Sequence, residues 1–513
     1  MSEQHHNRPF ATASGLPLSR RTLLGAAGAS AALALSPAMV RAQSGAARPT
    51  VFANTSVYTG GVMRHDVALA VVGQQIAAID TPEAVLAAFP DAEIYDGRGK
   101  ALLPGLINCH AHMAATVARG FNEDYGFPNS SNLKVWPRAL LSAEEKALMV
   151  AIAALEAIRT GTTGICENTG NIAPYAETLA GSGLRCMFAE SVRDTENVPG
   201  PMSPEGLAAS EPPVFSDQLR EEGMQRIADL HSRWHGAEDG RISVFPAAAL
   251  AEMSSPALLR DVRSFAETHG LGYTIHLSQT HAELAFMERY HGMSPPAYLA
   301  EHGFLGPHLF AAHCRYVSEA DIKLLGDSHT IVSHQAGMAA NRGVAPPITE
   351  LRAAGAVIAC GTDNNTNDMF GVLRTALLTE RIRRGDMDER PGLFPQPEDI
   401  LDDTTLGGAK AFRQEDSIGA LDVGKKADIL VLDTQKAHLV PAGRAISAWI
   451  HNGQPSDIES SMIDGKFVMR EGKVTTMDEA ALIAEADKVG QRIWREVREA
   501  NGGPVPIPGR TAY

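Results

Sequence analysis

The sequence predicts an α/β protein: a (β/α)8 TIM barrel carrying a small discontinuous β-sandwich built from N- and C-terminal segments. Three observations predict it. Eight short apolar runs alternate with helix-patterned stretches through the middle of the chain, as a closed parallel sheet requires. Short strands separated by Gly and Asp turns lie on both sides of that region. Histidines and one aspartate fall at the C-terminal ends of several runs, where a barrel collects its functional groups.

Taken in order, residues 1–42 form a separate unit. Ser19-Arg20-Arg21-Thr22-Leu23-Leu24 opens an Ala/Gly/Leu-rich stretch that ends in the small-residue site Val40-Arg41-Ala42. A basic start, an apolar middle and a small-residue end make an export signal. The paired arginines resemble the twin-arginine type, which carries folded proteins. The stretch is short for a membrane span and is broken at Ser36-Pro37. The expectation is a periplasmic or exported protein whose partners include the twin-arginine export machinery. No later segment has the length and hydropathy of a membrane span.

Residues 43–100 read as hairpin strands: Thr50–Ala53, Val67–Val72, Gln75–Ile79 and Glu93–Asp96. Residues 101–415 read as the barrel. Its predicted strands are Leu102–Cys109, Thr163–Cys166, Arg185–Ala189, Ile242–Ala247, Tyr273–Leu277, Leu309–His313, Thr330–Ser333 and Ala356–Cys360. A helix follows the first of them from Ser142 to Arg159. Ser142 with Glu145 forms a capping box, and Leu148, Ile152, Leu155 and Ile158 make one apolar stripe. Further helices are expected over Pro256–Thr268, Ala282–Tyr290, Ser318–Leu325, Ile348–Ala354, Phe370–Arg384 and Glu398–Phe412. Residues 416–475 return to β texture, with strands Ile429–Leu432, Ala448–Ile450, Met462–Ile463 and Phe467–Met469 and a tight turn at Asp464-Gly465. They are expected to pair with residues 43–100. Residues 476–513 form a C-terminal helix and a Pro/Gly-rich tail.

Composition narrows the function. Hydrophobic residues are 44% and charged residues 20% of the chain, as in a globular enzyme. The net charge of −15 repels phosphate backbones, so nucleic acid is not an expected partner. The five cysteines lie in or beside apolar runs and read as buried core residues, not a disulfide framework.

His110 and His112 stand two apart at a strand end, so both imidazoles project from one face. His276, His313 and Asp363 end or follow other strands. One such residue reads as a packed histidine or a helix cap; five gathered at one barrel mouth read as a metal site. Three imidazoles and a carboxylate suit one divalent ion, zinc first and iron as the alternative. Such an ion lowers the pKa of a bound water. Asp363 can ligate and accept the water's proton, and His313 can complete the shell or stabilise the developing oxyanion.

Leu103-Pro104-Gly105-Leu106-Ile107-Asn108-Cys109-His110-Ala111-His112 resembles the first-strand signature of the amidohydrolase superfamily. Arg119-Gly120, Thr160-Gly161-Thr162-Thr163 and Gly361-Thr362-Asp363-Asn364 match landmarks of its cytosine deaminase and triazine chlorohydrolase branch. Ser417 to Ile429 and the Ile463-Asp464-Gly465-Lys466 hairpin fit its return to the β domain. The resemblance covers about residues 50–475. It implies hydrolysis of a non-peptide C–N bond, as in an amide, urea or carbamate, or attack on a substituted heteroaromatic ring. The implied ligands are His110, His112, His276 and Asp363, with His313 beside them, and the implied partner is a small-molecule substrate. Assembly into homo-oligomers is implied by analogy alone.

Three departures matter. Gln279 stands where that branch has a glutamate that protonates the ring and shuttles protons to the leaving group, and glutamine cannot transfer a proton that way. Glu283 lies one helical turn further on. His334 is followed by Gln335-Ala336-Gly337 in place of cysteine-proline, which points to a remodelled pocket. No lysine offers itself as a bridge between two metals, in keeping with one ion. Candidate substrate contacts are Trp136, His334 and Asn364. Phe121 and Phe127 could stack on a flat substrate or simply pack, and Asn365 and Asn367 could bind substrate or shape the turn. The competing functions are a purine or pyrimidine aminohydrolase, which Gln279 disfavours, and a non-catalytic periplasmic binding protein, which the complete ligand set disfavours.

Overall fold

The computed structural model describes residues 48–121, 123, 133–197, 210–364, 366–385 and 393–505. The export-signal reading, Phe127 and Asn365 lie outside the described residues.

The described chain begins with β1 (Thr50–Thr59), β2 (Val62–Val72), β3 (Gln75–Asp80), β4 (Glu93–Asp96) and β5 (Lys100–Pro104). The middle of the chain supplies β6 (Leu106–His112), β7 (Thr162–Thr169), β8 (Arg185–Val192), β9 (Ile242–Leu250), β10 (Tyr273–Leu277), β11 (Leu309–His313), β12 (Ile331–His334), β13 (Val357–Cys360) and β14 (Asp363–Asn364). It closes with β15 (Ile429–Asp433), β16 (Ile458–Ile463), β17 (Lys466–Arg470) and β18 (Lys473–Val474).

Strands β6 to β13 pair in sequence order, all parallel, and β14 pairs back onto β6 to shut the ring. The eighth staves are therefore two pieces. Val357–Cys360 pairs with β12, while Asp363 and Asn364 lie opposite Ala111 and His112. Gly361 makes that crossing feasible, because a Cβ there would come within 2.8 Å of the His110 backbone nitrogen. Closure and site assembly are thus one event.

The flanking strands form one hydrogen-bonded path, β18-β17-β16-β15-β5-β1-β2-β3, with β4 on β1. The early and late strands of this sheet meet where β5 pairs antiparallel with β15. The sheet curls over a shared core, bringing Phe52 of β1 within 6.2 Å of the Phe467 ring on β17.

Some sequence expectations need correction. The run 102–109 is not one strand: it breaks at Gly105 into β5 of the flanking sheet and β6 of the barrel. A side chain at Gly105 would overlap Thr163, so only glycine passes between the sheets there. Residues 448–450 are not a strand but part of the helix Ala445–Asn452. That helix buries Ile446, Trp449 and Ile450, a spacing of three and four, against Phe370. The expected helix 398–412 is interrupted by a π-helical turn at Asp403–Gly407. A long helix, Asp217–Trp234, was not expected, because it is strongly polar and buries only Gly223, Ile227 and Leu230.

Other expectations hold. Ser142 and Glu145 make the reciprocal cap of Ala143–Arg159. Asp464 and Gly465 both have positive φ, 48° and 74°, as a tight hairpin between β16 and β17 requires. All five cysteines are buried and unpaired. Among the described residues no helix is long and apolar enough to cross a membrane.

The barrel and the flanking sheet are joined by a buried ionic network. Arg185 of β8 donates to Asp428 at 2.9 Å and to Asp464 at 2.6 Å, and Lys426 reaches Asp464 at 2.9 Å.

Candidate metal centre

The five residues singled out for chemistry converge at the C-terminal mouth of the barrel. His110 and His112 end β6, His276 lies in β10, His313 ends β11 and Asp363 opens β14. Asp363 Oδ1 lies 3.8 Å from His110 Nε2 and 3.4 Å from His112 Nε2, and its Oδ2 lies 3.9 Å from His313 Nε2. His276 Nε2 stands 3.3 Å from His112 Nε2. The His112 and His276 rings are nearly parallel, and the His110 ring stands across them.

The surroundings set which nitrogens face inward. His276 Nδ1 donates to the Ala249 carbonyl at 2.7 Å, leaving Nε2 as a bare lone pair in the neutral ring. His112 is held by the main-chain carbonyl of Asn168. His110 Nδ1 lies 3.5 Å from the Asn168 amide, whose Oδ1 is otherwise buried without a partner. Turning that amide satisfies both groups and leaves His110 Nε2 free of hydrogen. Two of the site residues sit in the left-handed region, His313 at φ 79° and Asp363 at φ 70°, a conformation that non-glycine residues adopt under constraint. Gln335 supplies the constraint at His313, accepting its backbone N–H at 2.8 Å.

Burial drives all four imidazoles toward neutrality. His110, His112 and His313 are held well below the usual histidine range, first by burial and then by neighbouring positive groups. Burial brings His276 down to about 4. It also pushes the Asp363 carboxyl up to about 7, opposed by the positive charges of Arg315 and Arg342. Among the described residues neither His313 nitrogen nor His110 Nε2 has a hydrogen-bond partner, and no side chain donates to either Asp363 oxygen, whose carboxyl is steadied only weakly by the Asn364 backbone N–H. Several acceptors aimed at one another in a buried site cost several kcal/mol, about 1–3 for each unsatisfied group. A divalent cation satisfies a carboxylate oxygen and one nitrogen of each converging ring together, so the donor set fits a metal. Two overlapping sets qualify by proximity, His110-His276-His313 and His110-His112-Asp363.

The chain belongs to the amidohydrolase family. The amidohydrolase family model matches residues 101–468, and with it the β domain junction as well as the barrel. A 5-methylthioadenosine/S-adenosylhomocysteine deaminase of Desulforudis audaxviator is 31% identical over 421 residues, 81% of this chain and 92% of its own length. A 5'-deoxyadenosine deaminase of Methanosarcina barkeri is 31% identical, covering 78% of this chain and 88% of its own. An adenosine deaminase of Xanthomonas campestris, solved with bound zinc, superposes with TM-score 0.75 at 26% identity, over 87% of this chain and 98% of that one. The zinc complex of an atrazine chlorohydrolase from Arthrobacter aurescens shares the fold, with TM-score 0.75 at 19% identity, over 86% of this chain and 100% of that one. This member of the family is a metal-binding hydrolase of carbon–nitrogen bonds with a small-molecule substrate.

The other singled-out residues divide. Gln279, three residues after His276, is clamped by its backbone: its N–H donates to Glu283 at 2.6 Å and its carbonyl accepts from Arg315 Nε at 3.0 Å and from Nη2. Glu283 also accepts from Ser278 N at 2.7 Å. Both its oxygens are thus engaged in shaping this turn, so it is not a free replacement acid for Gln279. Asn364 is half-buried opposite His112 on β14. His334 ends β12, buried, with its Nδ1 unpartnered and its pKa brought down by burial to about 4. Trp136 is exposed at the turn before Pro137–Leu140. Phe121 is a core residue packed on Trp494, not a stacking platform at the mouth. Asn367 is buried and shapes its turn, its N–H donating to Glu156 at 2.9 Å.

Sequence reasoning missed Asn168, Arg315 and Arg342. Asn168 stands near the C-terminal end of β7 and Arg315 two residues past His313, so position on a barrel strand was the available signal. A cavity of about 290 Å³ opens near the ends of β6 and β7, lined in part by Ala114, Arg138, Lys146, Thr169 and Tyr175.

Proposed function

We propose that His110, His112, His276 and Asp363 hold one divalent ion, zinc or alternatively iron, in a hydrolase for a small amide, urea, carbamate or substituted heteroaromatic ring. One observation carries this reading: buried lone pairs and a carboxylate without side-chain donors converge at the mouth of the barrel. The ion, when bound, supplies Lewis acidity that makes a water nucleophilic near neutral pH. Asp363 accepts the proton of the attacking water and passes it to the leaving nitrogen. His313, opposite Asp363, donates to the oxygen that becomes anionic. Gln279 can hold the substrate by hydrogen bonds but cannot relay a proton.

Elemental analysis of protein purified without chelator tests the centre. About one zinc or iron per chain is expected, lost in His110→Ala. Metal-free protein that zinc and iron fail to activate sinks the reading.

A second reading, an aminohydrolase acting on adenosine-like compounds, is supported by the names of the relatives at about 31% identity. Gln279 weighs against it. Gln279→Glu is expected to raise ammonia release from adenosine by about a hundredfold, the lower range of general-acid effects. No gain would mean that this pocket does not accept the adenine ring productively.

We also infer that residues 1–42 direct twin-arginine export, on the strength of Arg20-Arg21 and the apolar stretch that follows. Export of the folded, metal-loaded chain suits such a site. Fractionation of an Arg20→Lys, Arg21→Lys double variant is expected to show the protein retained in the cytoplasm; undiminished periplasmic delivery would refute the assignment.

A further inference from the structure

We propose that Arg315, supported by Arg342, is a specificity-determining cation of the pocket, and that the substrate carries a carboxylate close to the bond that is cut. The proposal rests on the hydrolase reading above and names its substrate class.

Arg315 follows His313 by two residues, at the mouth end of β11, and is only 7% exposed. Its backbone N–H donates to the Ser278 carbonyl at 3.1 Å, and its Nε and Nη2 both donate to the Gln279 carbonyl. Its Nη1 is buried and has no partner. Among the described residues no carboxylate lies within ion-pair distance of it. The two buried acids that feel its charge are otherwise engaged: Glu283 caps the Ser278-Gln279 turn, and Asp363 faces the imidazoles. A guanidinium stays charged at any working pH. The guanidinium also lies over the Tyr316 ring, 5.6 Å from its centroid, but among the described residues no carboxylate pairs with it directly, and a buried charge without a paired partner is destabilising.

Arg342 stands nearby, donating to the Glu123 carbonyl and attracted by the Glu123 carboxylate. It caps the C-terminus of the helix Ala336–Asn341, just beyond His334, and is near enough to Arg315 for the two charges to oppose each other. Both reach Asp363 with their fields. On the other side of the mouth Arg138 acts in the same way on His112 and lines the neighbouring cavity. The whole chain carries −15, so cations gathered at this one place do not reflect composition. The acids Asp363, Glu283 and Glu167 lie among them, so the contact offered to an acidic ligand is the unpartnered Arg315 Nη1 and not a net positive field. The two N–H groups of a single buried nitrogen suit a carboxylate, which needs fewer donors than a phosphate.

The test uses the metal-loaded protein and two flat probes of nearly equal shape, nicotinate and nicotinamide, followed by titration calorimetry. Wild type is expected to bind the acid about tenfold or more tightly than the amide, the size of one charge-assisted hydrogen bond. Arg315→Met is expected to bring that preference within about twofold, and Arg315→Lys to retain part of it, since lysine keeps the charge. Arg342→Gln leaves the Gln279 clamp in place and covers the case in which Arg315→Met does not fold; it is expected to lower the preference about threefold, as a more distant charge does. An undiminished preference in Arg315→Met, or in Arg342→Gln if that is the variant that folds, overturns the proposal, as does the absence of preference in wild type. Metal content is measured on every sample, so loss of the metal centre, which overturns the hydrolase reading, is read separately.

Discussion

Asp363→Asn is expected to lower kcat by about 1,000-fold while the protein remains folded, the scale of losing a positioned proton acceptor. Asparagine keeps the size and one oxygen of the side chain but cannot take a proton. Asp363 is 1% exposed, receives no side-chain hydrogen bond among the described residues, and lies within 4 Å of three imidazoles. No described neighbour is placed to assume its role: Glu283 is committed to the turn after β10. The measurement is steady-state turnover at saturating substrate, with metal content and far-UV dichroism as controls. If the chain were a binding protein that had kept the fold, the same substitution would leave ligand affinity nearly unchanged and there would be no turnover to lose. Activity within about tenfold of wild type would mean that another group accepts the proton.

Arg185→Ala is expected to have a large effect on stability, about 3–5 kcal/mol, because it strands the Asp428 carboxylate in the interior and leaves Asp464 with Lys426 alone. Arg185 is 1% exposed, and its partners Asp428 and Asp464 are nearly as buried. Burial opposes the arginine's charge, but the two carboxylates outweigh it and raise its pKa. Lys426 reaches only Asp464, so Asp428 is left without a cation. The three elements concerned are β8 of the barrel, the entry to β15, and the hairpin between β16 and β17. The loss therefore falls on the seam between the barrel and the flanking sheet. Urea unfolding followed by tryptophan fluorescence checks it. A loss below about 1 kcal/mol would show that the network does no more than an exposed ion pair.

Much of this was legible from residues alone. Short apolar runs alternating with helix-patterned stretches located the barrel strands, and Ser142 with Glu145 marked the start of its first long helix, because these signals are local. The convergence of His110, His112, His276, His313 and Asp363 was legible for a related reason: each sits at or beside a strand end, and a barrel brings all its strand ends to one rim. Their long-range convergence follows from topology, not from the neighbours of each residue.

Tertiary structure decided the rest. The break at Gly105 and the split last stave at Gly361 depend on what passes within van der Waals distance, Thr163 in one case and His110 in the other, and nothing in the local sequence shows it. Residues 448–450 carry apolar side chains that suit a strand as well as a helix; packing of Trp449 against Phe370 selected the helix. Asn168, Arg315 and Arg342 acquire meaning only once the histidines have a place in space. Patterning determines which residues go inside and where the chain turns, because those are properties of a segment. Which buried charge faces which ligand is a property of segments brought together, and only the closed barrel settles it.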